Sequence, residues 1–141
     1  MAIVVVGSVD VVVRTRGEHC PPHVHAICLP EGWGARFRFS FLNDDVIHWD
    51  IHMRSRAPTS ALLTRIGRLV RMNLEPVRMR WWNTMRTTCL DRQFSQVAEG
   101  RLTLCGRSAA GARQIASATY EPVSRVLVVR FADLSIHQQS V

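Results

Sequence analysis

The sequence predicts an α+β fold, with an antiparallel sheet of N-terminal strands packed by two central helices and a small C-terminal strand meander. Three observations carry this expectation. Apolar and polar residues alternate with period two through most of residues 3–53, the spacing of half-buried strands. Residues 57–86 change to helical spacing, and short alternating runs return after residue 101. A chain of 141 residues with 47% hydrophobic content can bury a real core, so one domain over residues 1–141 is expected. Within it, residues 1–90 form the main body and residues 101–141 a strand extension.

In order along the chain, residues 3–6 and 9–14 are valine-rich strands broken at Gly7-Ser8. Residues 15–22 form a loop ending in Pro21-Pro22, which holds the chain extended into a strand over 23–29. After a turn with Gly32 and Gly34, Phe37, Phe39 and Phe41 alternate with Arg36, Arg38 and Ser40. Ile47, Trp49, Ile51 and Met53 then alternate with His48, Asp50 and His52. Parity favours a three-residue turn at 43–45, pairing Phe39 with Trp49, Arg38 with Asp50, Ser40 with His48 and Arg36 with His52. Residues 57–72 read as a helix capped by Thr59 or Ser60, and Pro76 opens a second one to about Arg86. Residues 87–100 read as an irregular or short helical connection. Residues 102–104, 115–120, 125–131 and 134–137 read as short strands.

All 18 basic residues are arginine, which excludes Schiff-base chemistry and a phosphate-loop lysine. A net charge of +7 favours an anionic partner, either nucleic acid or an acidic protein face. No apolar run approaches the roughly 18 residues of a membrane span, so no membrane partner is expected. Residues 3–6 are too short for the apolar part of a signal peptide, and the expected location is cytoplasmic. Cys20, Cys28, Cys89 and Cys105 form no CxxC pair and no zinc spacing, in keeping with reduced thiols. There is no GxSxG, HExxH or glycine-rich phosphate loop.

Five of the six histidines fall in two stretches, residues 18–25 and 48–52. His23-x-His25 places two rings on one side of a strand, and His48-x-Asp50-x-His52 does the same on another. Imidazole and carboxylate are ligands for zinc or another transition metal, so His23, His25, His48, Asp50 and His52 are the candidate metal residues. An even-length loop between the strands brings all four histidines to one surface, whereas an odd one turns His23 and His25 toward the phenylalanines. Arg36, Arg38, Arg65, Arg68, Arg78 and Trp82 are the candidate contacts to an anionic partner, by phosphate pairing and stacking.

The stretch His19-Cys20-Pro21-Pro22-His23-Val24-His25 carries a resemblance. Residues 17–82 resemble a small uncharacterised bacterial domain family whose hallmark is His-x-Pro-Pro-His-Val-His after a first strand. Residues 114–135 more faintly resemble a second small family, which has Asp-Gly where this chain has Asp133-Leu134. Members of the two often lie in neighbouring genes. The resemblance implies toxin–antitoxin-like modules on mobile DNA. The function expected is therefore a non-enzymatic accessory protein of such a system that binds an anionic partner and requires no cofactor. The alternative is a metal-dependent hydrolase or nuclease built on the His/Asp face.

Overall fold

Valine alternation starts the first sheet as the sequence predicts. In the computed structural model, which describes residues 1–141, β1 (Val4–Val6) and β2 (Val9–Val12) pair around the Gly7 turn. β3 (His23–Cys28), β4 (Trp33–Phe39) and β5 (Val46–Met53) complete an antiparallel sheet of order β1-β2-β3-β4-β5. Val11, Val24, Ala26, Ala35, Phe37 and Phe39 are buried in it. The chain divides into two units, Met1–Ser40 with Asp44–Met85, and Phe41–Asn43 with Arg86–Val141.

The first unit also holds both helices. α1 (Ser60–Met72) starts at Thr59, whose hydroxyl accepts the Leu62 N–H at 3.1 Å. It buries Ile66 and Val70, and a Cβ on Gly67 would lie 3.6 Å from the Phe37 ring. α2 (Leu74–Met85) begins two residues before Pro76, which sits in the first turn where its missing N–H costs nothing. Asn73 lies between them. Its side-chain amide donates to the Leu69 carbonyl and its own carbonyl accepts from the Val77 N–H. Trp81 is fully buried and Trp82 half-buried.

Two expectations, one about the hairpin of this unit and one about the cysteines, need correction. The hairpin does not close on residues 43–45. Phe39 faces Val46, Arg38 faces Ile47, Phe37 faces His48 and Arg36 faces Asp50. The register shifts between Arg36 and Phe37, leaving Trp49 as the extra residue of a β-bulge. One added residue reverses side-chain parity, so His48 falls on the phenylalanine face while Trp49, Asp50 and His52 follow a different alternation. Reduced thiols hold for Cys28 and Cys105 but not for Cys20 and Cys89. Sequence intervals alone do not reveal such oxidation.

The expected α+β class is itself corrected, because strands hold 40% of the residues and helices only 18%. What was expected as a small meander is a second five-stranded antiparallel sheet, of order β10-β9-β8-β6-β7. Its strands are β6 (Phe94–Ala98), β7 (Arg101–Leu104), β8 (Arg113–Glu121), β9 (Val126–Phe131) and β10 (Ile136–Ser140). It has its own core of Leu102, Ile115, Leu127, Val129 and Phe131. β6 falls in the stretch expected to be irregular. Only Ser95 of its five residues is buried, so it lacks the apolar alternation that marks a strand. Glu99 and Gly100 turn the β6–β7 hairpin with φ of 55° and 76°, a two-residue connection with both residues left-handed. The protein is β-rich.

Candidate functional site

Four residues, 29–32, connect β3 to β4, and this even length sets the faces. His23 stands opposite Arg38 and His25 opposite Arg36. The two imidazoles therefore share a side of the sheet with the arginines. His23 is 1% exposed and His25 8%. Glu18 reaches them from the preceding loop, with its side chain only 3% exposed.

This cluster has a definite hydrogen-bond order. His23 Nδ1 lies 2.8 Å from the Pro21 carbonyl oxygen. A carbonyl only accepts, so Nδ1 carries a proton and Nε2 is the nitrogen left for a partner on the Glu18 side. That nitrogen faces Glu18 Oε2 at 3.5 Å, and Oε2 is buried without a hydrogen-bond partner. Glu18 Oε1 accepts from His25 Nε2 at 2.9 Å. Burial holds the His25 ring below its ordinary pKa, outweighing the opposing pull of Glu18. The ligand-type atoms of Glu18, His23 and His25 all lie within 4.8 Å of one another. Trp81 and Trp49 pack on His23, with ring centroids 5.4 and 5.3 Å away.

The remaining expected metal residues do not join them. Asp50 is held by Arg36, whose Nε donates to Oδ1 at 2.8 Å while Nη2 bonds Oδ2. Its partner is thus Arg36 and not Arg38. That charge-assisted pairing keeps the Asp50 carboxyl below its usual range. His52 is exposed and lies 3.6 Å from Asp50 Oδ2. His48 lies against Phe37, its ring centroid 5.3 Å from that of the phenylalanine. Trp49 carries Arg36 over its ring at 4.0 Å and Arg38 at 5.4 Å.

The arginines divide by environment. Arg14, Arg36 and Arg54, with His25 and His52, line a cleft of about 720 Å³ that has no carboxylate in its walls. Arg38, Arg65 and Arg68 are exposed, and Arg68 lines a second cleft beside His48. Arg78, expected as a surface contact, is 4% exposed. Its Nε donates to the Ser40 carbonyl at 2.9 Å, and its Nη2 lies 3.6 Å from Asp44 Oδ1. It follows the buried stripe of α2 beside Val77 and Trp81, a placement its charge concealed.

Sequence reasoning missed Glu18, Arg14 and Arg54. Glu18 opens the histidine stretch, but it stands on a loop, where periodicity gives no direction. Arg14 and Arg54 follow the ends of β2 and β5, and only the folded chain brings them to one cleft. No helix is long and apolar enough to cross a membrane. No protein-family model, curated protein or solved structure matches the chain.

Proposed function

We propose that this chain is a non-enzymatic binding protein that receives the phosphates of a nucleic acid in the cleft lined by Arg14, Arg36 and Arg54. The observation that carries this reading is a concave surface with three guanidinium groups and no carboxylate in its walls. Arg36 is paired with Asp50, which fixes its fork and reduces its net charge. Arg14 and Arg54 supply the uncompensated charge. The net charge of +7 adds a long-range attraction for polyanions. The resemblance of residues 17–82 supports an accessory role in a toxin–antitoxin-like or mobile-element system.

Fluorescence anisotropy with labelled DNA and RNA at increasing salt tests this reading. The logarithm of the affinity should fall linearly with the logarithm of salt concentration. Arg14→Ala and Arg54→Ala should each weaken binding across sequences and lower the slope by about 1. Absence of binding by micromolar protein at low salt would reject nucleic acid and leave an acidic protein face as the partner class.

A further inference from the structure

We propose that Glu18, His23 and His25 bind one divalent transition-metal ion of the zinc type. Two imidazole nitrogens and a carboxylate oxygen are a ligand set for such an ion, and three protein ligands leave a fourth coordination position open. The site is separate from the cleft arginines, although His25 borders both.

The atoms are arranged for this role before any ion arrives. The Pro21 carbonyl holds the Nδ1 proton of His23 and leaves Nε2 as the nitrogen an ion would take, the outer contact that orients histidine ligands in metal centres. That nitrogen faces Glu18 Oε2. With the ring neutral, two electron-rich atoms face one another in a buried place. A cation resolves that repulsion. It also supplies the partner that Oε2 lacks among the protein's own donors. A tetrahedral zinc with bonds near 2.1 Å separates its ligand atoms by about 3.4 Å. The 3.5 Å between Glu18 Oε2 and His23 Nε2 is already that distance. His25 completes the set by giving up its hydrogen bond to Glu18: the Nε2 proton leaves to solvent or is replaced by one on Nδ1, and the freed Nε2 lone pair bonds the ion. Trp49 and Trp81 brace the His23 ring, limiting the side-chain freedom lost on binding.

The competing arrangement is a second proton on His23 and an imidazolium–carboxylate pair without metal. The two differ in stoichiometry. Untagged full-length protein, stripped with chelator and dialysed, would be titrated with Zn²⁺ by calorimetry and with Co²⁺ by visible absorption. One equivalent per chain and the d–d bands of a low-coordinate cobalt site are expected. Glu18→Gln preserves shape but weakens the ligand, and His25→Gln removes a ring at the rim; each should lower zinc affinity at least about 100-fold. Asp50→Asn and His48→Ala should leave it within twofold. Wild-type protein that takes up neither ion would overturn the proposal, whatever the folding of the variants. So would one-equivalent binding that survives both Glu18→Gln and His25→Gln but is lost with Asp50→Asn.

Discussion

In β3, His23 and His25 stand two residues apart, both buried and both turned to Glu18. In β5, His48 and His52 flank Asp50 at the same interval, yet one ring lies against Phe37 and the other is exposed. The sequence pattern is equivalent, and the outcome differs for two physical reasons. The β3 ladder is regular through both histidines, so period-two spacing becomes a row. The β5 ladder carries the Trp49 bulge between His48 and Asp50, which breaks the row. A carboxylate then arrives differently in each. Glu18 comes from a loop with one oxygen unpaired, whereas Asp50 is committed to Arg36. Histidine spacing thus proposes a site, and ladder continuity with an available carboxylate builds it.

The largest test of this contrast exchanges rings for methyl groups. His23→Ala removes a buried ring from contact with Trp49 and Trp81 and should cost about 3 kcal/mol. His48→Ala, at an exposed ring, should change stability by no more than about 0.5 kcal/mol. Urea unfolding midpoints at pH 7 measure both, and similar losses would mean that the two strands are equivalent after all.

Truncating the carboxylates gives the next largest effect. Glu18→Ala strands the His25 donor in a buried place, a loss of about 2 kcal/mol. Asp50→Ala breaks a pair that water already screens and should cost under about 1 kcal/mol. Thermal unfolding of the two variants side by side would show the order. A reversed order would place the structural weight on β5.

Trp49→Ala probes the bulge. It removes the ring under Arg36 and Arg38, worth about 1 kcal/mol at this degree of exposure. Backbone chemical shifts of His48 and Asp50 should keep the bulge pattern if the register belongs to the whole hairpin. A regularised ladder would instead mean that the tryptophan itself holds the extra residue.

The smallest effect is the acid limb of the Arg36–Asp50 pair. Asp50 is depressed below its ordinary value of 3.8, so the unfolded chain takes up this proton first as pH falls. The pair's contribution is complete above about pH 5 and is lost as pH falls through the folded-state value. Side-chain exposure of 30% keeps it under about 1 kcal/mol. The stability difference between wild type and Asp50→Asn should close as pH falls from the ordinary carboxylate range through the lower folded-state value. A difference that is constant with pH would detach Asp50 from Arg36.

Much of the first unit was legible. Valine runs located β1 and β2, and the stiff Pro21-Pro22 led into β3. Alternation of Phe37 and Phe39 and then of Ile47, Trp49, Ile51 and Met53 located β4 and β5. Of the two cap candidates, Thr59 and Ser60, it is the Thr59 hydroxyl that meets an orphan amide. The placement of His23 and His25 rested on loop parity, and the even loop put them with the arginines. Other features depend on forces that leave no period in the sequence. A bulge is one residue in a ladder, and Trp49 looks like any apolar strand residue until its neighbours are counted. Arg78 is buried because the Ser40 carbonyl and Asp44 receive its guanidinium, a partnership 38 residues away in sequence. β6 has too few buried residues to announce itself, so the second sheet seemed too small and the class was misread.

β5 is also the outer strand of its sheet, and it exposes Ile47, Ile51 and Met53. Such a rim invites another chain to add its own strand, the first step of self-association. The extra residue at Trp49 interrupts the run of evenly spaced backbone donors and acceptors that a visiting strand would need. Arg54 follows at its end as an exposed charge that repels a second copy. The irregularity that keeps His48 from its sister histidines thereby also keeps this rim unsociable, and a concentrated solution of the protein should remain free of edge-to-edge fibres.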